Sequence, residues 1–447
     1  MRARVESKVK VHPNLTAISI MGSCLVIAAS GCSHEVKETP RIAPQTSIAS
    51  PQVEPQQDAQ ALLMKTMQSL QAGDVEEAGK AIRTAVAMET DNSQVRFTLA
   101  IVLGQEHRYP EAVMMLDELA ISVPETRLPA LGQTAEWLVL QGKWQQAESR
   151  YKDVLAEVPE AAMAHRQLAQ LLVRQGRRLE ASKHLNALCQ QGNIEEFELR
   201  ALLSLASPFA GDIVGTNLEP IGPLGKARFA IGRGDWDNAA TTLRSQKTLA
   251  PVEAALLGRI HAEQRDFANL ETWVRTASEL ASETADESFA WGVFAAHQGE
   301  HPLAVKHFCK AVLFDQTDER AYEALAKSLV HLAVEREAAK ATERAQWIAR
   351  TREIGNQMAA SDQRDLNQLA ELAQLLDQLH RPFESLSWQA VRVAYGRSIL
   401  PENEQRSELN EINRKRIQLI ESSEPAVTKQ FILCGIDPES VRLSNER

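Results

Sequence analysis

An all-α solenoid of stacked helical hairpins is the fold this sequence predicts. Three observations carry it. A turn residue, a bulky apolar residue and then an Ala recur about every 34 residues over most of the chain. Between those marks, large and small apolar residues fall at helical spacing. Composition agrees: of 447 residues 44% are hydrophobic, enough for a buried core, while only 5% are aromatic. A net charge of −10 leaves no excess of Lys and Arg to neutralise phosphates, which argues against duplex nucleic acid as a general partner.

The chain opens on Arg2, Arg4, Lys8 and Lys10 against the single acid Glu6, and then carries no charge from Leu15 to Gly31. A basic start, a short apolar run and small residues at its end describe an export signal, residues 1–31. Ala29-Ser30-Gly31-Cys32 resembles the bacterial lipobox, although Ala29 stands where that pattern usually has Leu. The resemblance implies lipid attachment at Cys32. With Ser33 rather than Asp next, it implies an outer-membrane lipoprotein facing the periplasm. Cleavage by the ordinary signal peptidase would instead give a soluble periplasmic protein. A retained N-terminal anchor in the inner membrane is the third reading, since an uncharged run of this length sits at the lower edge of what spans a bilayer. Removal of residues 1–31 would take the net charge to −13. From Cys32 to Asp58 the chain carries Pro40, Pro44, Pro51 and Pro55 without apolar periodicity, and reads as an extended tether.

The repeat marks follow. Gly73-Asp74-Val75-Glu76-Glu77-Ala78 comes first, then His107 to Ala112, Gly142 to Ala147 and Gly176 to Ala181, spaced by 34, 35 and 34 residues. The series resumes at Gly234 to Ala239, continues at Phe267/Leu270, Gly299/Ala304 and Glu335/Ala338, and ends at Arg381 to Ser385. Leu99/Ala100/Leu103, Leu168/Ala169/Leu172, Trp291/Gly292/Ala295 and Leu325/Ala326/Leu329 supply first-helix faces, in which the small residue admits a neighbouring helix. Leu116, Tyr151, Leu185, Leu243, Val274 and Phe308 are the matching knobs on second helices, and Pro124, Pro159 and Pro251 end three of those helices.

This pattern resembles the tetratricopeptide repeat, a helix–turn–helix unit of about 34 residues, over roughly residues 59–395. The resemblance implies a right-handed superhelical solenoid of about nine units whose concave face, lined by first helices, binds proteins. It places four units in 59–194 and the later ones in 226–400. A helix with a Gly/Pro-rich insert fills 195–225, a second insertion lies near 349–361 within one lengthened helix, and a capping helix and tail occupy 401–447. In the tail, Phe431–Ile436 is apolar enough to dock. Carried onto the fourth copy, the family's groove positions fall on Arg166, Gln170 and Arg174. In the eighth they fall on Arg320, Glu323, Lys327 and His331. Basic clusters of this kind suit a carboxylate or an acidic peptide segment.

Other constellations look less chemical. His297-Gln298-Gly299-Glu300-His301 spells H-x-x-E-H, a zinc-peptidase signature, but Gly299 falls on a repeat turn, where the two rings would not share one helical face. Cys189, Cys309 and Cys434 have no C-x-x-C spacing, and Cys189 and Cys309 fit buried positions on second helices. Nucleophile-elbow, phosphate-loop and dinucleotide motifs are absent. No metal, cofactor or small-molecule substrate is implied. The expectation is a non-catalytic protein-binding scaffold or assembly factor at the bacterial cell envelope. The alternatives are a regulatory subunit of an envelope enzyme complex, with residues 206–225 contributing to a site, or a self-associating spacer. Asp212 and Glu219 are the acids that insert offers.

Overall fold

A computed structural model describes residues 58–215, 219–277, 283–398, 401–422 and 428–438. The expected leader, the lipid-bearing Cys32 and nearly all of the tether lie outside the described residues. Within them, regular structure is helical throughout. Nine hairpins account for most of it. The first three are α1 (Ala59–Gln71) with α2 (Val75–Met88), α3 (Ser93–Gln105) with α4 (Tyr109–Ser122), and α5 (Arg127–Leu140) with α6 (Trp144–Glu157). The fourth is α7 (Ala162–Arg174) with α8 (Arg178–Gln191). Two short helices, α9 (Glu196–Leu203) and α10 (Ala210–Gly215), interrupt the series. It resumes as α11 (Gly222–Gly232) with α12 (Trp236–Arg244), α13 (Pro251–Glu263) with α14 (Phe267–Ala277), and α15 (Ala285–His297) with α16 (His301–Phe314). The last two pairs are α17 (Glu319–His331) with α18 (Glu335–Ala360), and α19 (Leu366–Gln378) with α20 (Pro382–Tyr395). Helix α21 (Glu402–Glu421) and the one-turn α22 (Lys429–Ile432) close the chain.

Each hairpin is set by the same local chemistry. Five residues before every repeat mark, at 73, 107, 142, 176, 234, 265, 299, 333 and 380, the backbone turns left-handed, with φ between 54° and 81°. The next residue donates its amide to the carbonyl five positions back, at 2.8–3.0 Å in all nine turns. This is the Schellman arrangement, which satisfies the orphan carbonyls at the first helix's end. Asp74 and Asp235 then cap second helices, and Asn92, Thr284, Asp318 and Asp365 cap first ones. The marks themselves, Ala78, Ala112, Ala147, Ala181, Ala239, Leu270, Ala304, Ala338 and Ser385, are all 0–3% exposed. Glycine is required for packing at Gly292, where a Cβ would stand 2.6 Å from the Phe308 ring.

The chain divides into two compact units near residue 154. In the first, helices pack on neighbours in sequence, and Arg150 reaches Asp117 at 2.7 and 2.8 Å. The second unit closes on itself. Helix α8 packs on α20, α9 on α8, α18 and α20, and α10 on α18. Leu205 donates its amide to Thr317 Oγ1 at 3.0 Å, and Arg381 donates to the Leu202 carbonyl at 2.8 Å. Glu196 accepts from Arg364 at 2.8 Å and from Tyr395 Oη at 2.8 Å. Residues 428–438 dock as well: Ile432, Leu433, Cys434 and Ile436 are buried, Tyr322 Oη donates to the Ile432 carbonyl at 3.0 Å, and Phe431 lies 3.9 Å from the His380 ring.

Candidate protein-interaction surface

The sequence register directs first-helix side chains of the fourth repeat inward, and the structure shows what they meet. Arg166 donates to Glu198 Oε1 at 2.8 Å and to the Asn193 carbonyl. Arg174 donates to the Glu219 carbonyl at 2.9 Å, while its own carbonyl accepts from the Ile221 amide at 2.8 Å. Gln170 borders a small apolar cavity of about 60 Å3 with Phe197, Glu198 and Phe229. Most of their partners belong to the segment 195–225, with Asn193 and Phe229 flanking it, and this stretch folds onto the inner face of α7. These three positions hold the chain's own insert.

That insert is anchored by arginines. Arg178, buried, donates to the Ser204 carbonyl at 3.0 and 2.8 Å and to the Ala201 carbonyl at 2.9 Å, so its guanidinium caps α9. Arg200 holds Asp212 at 2.7 Å, and Arg228 bridges the Ala206 carbonyl at 3.0 Å to the Asp286 carboxylate. Asp212, one of the two acids in the insert, is thus tied up in a structural pair.

The inner face stays open farther along. Helices α13, α15 and α17, first helices of successive repeats, line a cleft of about 630 Å3. Phe289, Val293 and Phe308 give it an apolar floor, and Arg320, Lys327 and His331 stand on the α17 wall. The turn residue Arg265 joins them, with His297 from the end of α15 and His301 from the start of α16. Two ring pairs fix the walls. His297 stacks on Phe267 at 3.7 Å, and His301 stacks on His331 at 4.0 Å with planes 7° apart.

Charge in the cleft is asymmetric. Glu263 is held by Arg259 at 2.7 Å, and Glu323 is paired with Arg320 at 3.3 Å. Arg265 and Lys327 make no ion pair with any described residue. Arg259 also binds the buried Asp318 at 3.0 Å and lies 3.5 Å over the Phe289 ring. Asp318 in turn caps α17 by accepting from the Ala321 amide at 3.0 Å. Beside it, burial and the Asp318 carboxylate push Asp315 up to about 6, against hydrogen bonds from Thr317.

Four of the seven groove positions named from sequence, Arg320, Glu323, Lys327 and His331, therefore share one cleft, and Arg166, Gln170 and Arg174 are elsewhere. Sequence reasoning missed Arg265, His297 and His301 as cleft residues. Their signal was positional: one occupies the left-handed turn, and the others flank a turn. The H-x-x-E-H run does span that turn, with Gly299 at φ 81°, and its two rings have different stacking partners. Cys189, Cys309 and Cys434 are buried as free thiols; burial, and then Cys434, push Cys309 up to about 12, which leaves a poor nucleophile.

Residues 138–203 match the family model described as tetratricopeptide repeat. No curated protein matches the chain. Among solved structures, the chain is similar to a tetratricopeptide repeat protein from Parabacteroides merdae, with 16% identity, a TM-score of 0.30, and 61% of this chain and 99% of that one covered. It is similar to the TPR2AB-domain of yeast Sti1, solved in complex with an HSP90 partner, with 16% identity, a TM-score of 0.29 and coverage of 73% and 98%. A structure of Naa15/Naa10 bound to HypK-THB follows at 13% identity, a TM-score of 0.28 and coverage of 81% and 58%. The fold is read from this chain's nine hairpins and not from these values.

Proposed function

We propose that this tetratricopeptide-repeat protein is a non-catalytic scaffold that binds a partner protein in the cleft between α13, α15 and α17, while a lipid on Cys32 holds it at the bacterial envelope. One observation carries the binding reading. Three first helices present a continuous concave wall with an apolar floor and two cations, Arg265 and Lys327, that no acid of the described chain neutralises. An extended segment bearing apolar and acidic side chains suits such a wall, with no chemical step. The volume lies within the range of sites that enclose a few side chains. The anchoring half of the proposal rests on the basic start, the uncharged run and the Ala29-Ser30-Gly31-Cys32 signature.

The test uses the full-length chain to capture envelope proteins from its source cells, in parallel with an Arg265→Glu/Lys327→Glu variant. The reading expects a partner retained by the parent and lost by the variant at unchanged helicity and melting. Equal capture by both would sink it. For the anchor, Cys32→Ala is expected to abolish incorporation of labelled fatty acid and release the protein from membranes; continued labelling would overturn that half.

A further inference from the structure

The cleft's least explained feature is its pair of stacked imidazoles. His301 and His331 come from different helices, yet their rings lie parallel with centroids 4.0 Å apart. Nδ1 of His301 is buried and has no hydrogen-bond partner. A neutral pair tolerates this geometry, but a second proton would set two like charges face to face. Groups lining the same cleft are Glu263 and Arg265 from α13 and its turn, His297 from α15, and Arg320, Glu323 and Lys327 from α17. Glu300 and Glu335 stand at the starts of α16 and α18. The two lining acids already serve arginines. Among the described residues, no carboxylate is bonded to either imidazole to stabilise a protonated pair.

Building on the binding reading above, we infer that the His301–His331 pair is a proton-linked carboxylate site: an acidic side chain of the partner enters the cleft and one proton from solvent binds the pair with it. The bound carboxylate supplies the missing counter-charge, so occupancy and protonation favour each other equally. Lys327 and Arg265 contribute attraction at any pH, and the imidazole pair adds a further cation as pH falls. Burial, and then the neighbouring His331, hold His301 below the usual imidazole range in the empty cleft. His301 of the free protein thus favours its neutral form.

The experiment titrates the full-length chain calorimetrically with a capped hexaglutamate peptide, and with hexaglutamine as control, from pH 7.5 to 5.5 at fixed ionic strength. Repeats in buffers of differing ionisation enthalpy count the protons. The expected result is affinity that rises about tenfold across that range for hexaglutamate, with close to one proton taken up per peptide. His331→Gln should remove the proton uptake and the pH dependence while leaving binding at pH 7.5 intact. His107→Gln, on an exposed turn in the first unit, should change neither. Hexaglutamate that fails to bind at every pH, or that binds the Arg265→Glu/Lys327→Glu variant equally, overturns the cleft reading and this proposal together. Cleft-dependent binding without pH dependence, or pH dependence that survives in His331→Gln, overturns the proton linkage alone.

Discussion

The two units use one repeat and are held together differently. In residues 58–154 the hairpins pack on one another in sequence, and the Arg150–Asp117 pair joins residues 33 apart. From residue 155 on, bonds join positions 112, 168, 179 and 199 residues apart. A stack with nearest-neighbour contacts unfolds as a sum of local terms, whereas cross-links over long loops couple every repeat they span. The comparison teaches that repeat identity sets local geometry and that cooperativity comes from what is inserted between repeats.

The most damaging way to break that contrast is Arg178→Ala. It strips three hydrogen bonds from the carbonyls of Ser204 and Ala201 in a buried site. The expected cost is about 3 kcal/mol or more in the second unit, with the first unit's transition unmoved, as read by denaturant unfolding with hydrogen exchange. Equal loss of protection in both units would show that the boundary near residue 154 carries no independence.

A smaller effect should follow from pH. Asp315 is raised, so its protonated form is favoured in the fold; that stability is present below its unfolded value near pH 4 and is lost as pH rises through about 6. Asp315→Asn should therefore stabilise the second unit above pH 6 by about 1–2 kcal/mol and flatten its pH profile over that window, with no effect at pH 4. Thermal melts at pH 4 and 7.5 check both the size and the sign.

A pair of glycine changes of opposite expected sign tests what close helix approach requires. Gly132 in α5 has nothing within 4 Å of a Cβ position, and Gly132→Ala is expected to stabilise by about 0.5–1 kcal/mol. Gly292→Ala in the second unit meets the Phe308 ring at 2.6 Å and should instead cost about 1–3 kcal/mol. Matching signs for the two would mean that close approach does not govern the inter-helix spacing there.

The hairpins were legible because their cause is local. A buried small residue, a cap and a turn recur within one repeat, so periodicity alone places Ala78, Ala181 and Ala304. The left-handed turns at His107, Arg265, Ala333 and His380 were not legible as such, because no glycine marks them and the fold imposes the conformation. The groove residues divide for a physical reason. Register says which way Arg166 and Lys327 point, and both point inward. It does not say what stands opposite: α9 for the first, an open cleft for the second. Nor does any local pattern announce that Arg364 and Tyr395 converge on Glu196 from nearly two hundred residues away.

The closure of the second unit bears on mechanics. A load entering the chain near residue 58 would reach hairpins held in series, which peel one after another at modest force. A load carried into residues 155–438 would meet Arg178, Arg364, Arg381 and Tyr395 acting in parallel across the insert, so that several bonds must fail at once. Such a chain pairs a compliant region with a stiff one, and keeps a cleft formed by α13, α15 and α17 in shape while the hairpins before residue 155 absorb strain.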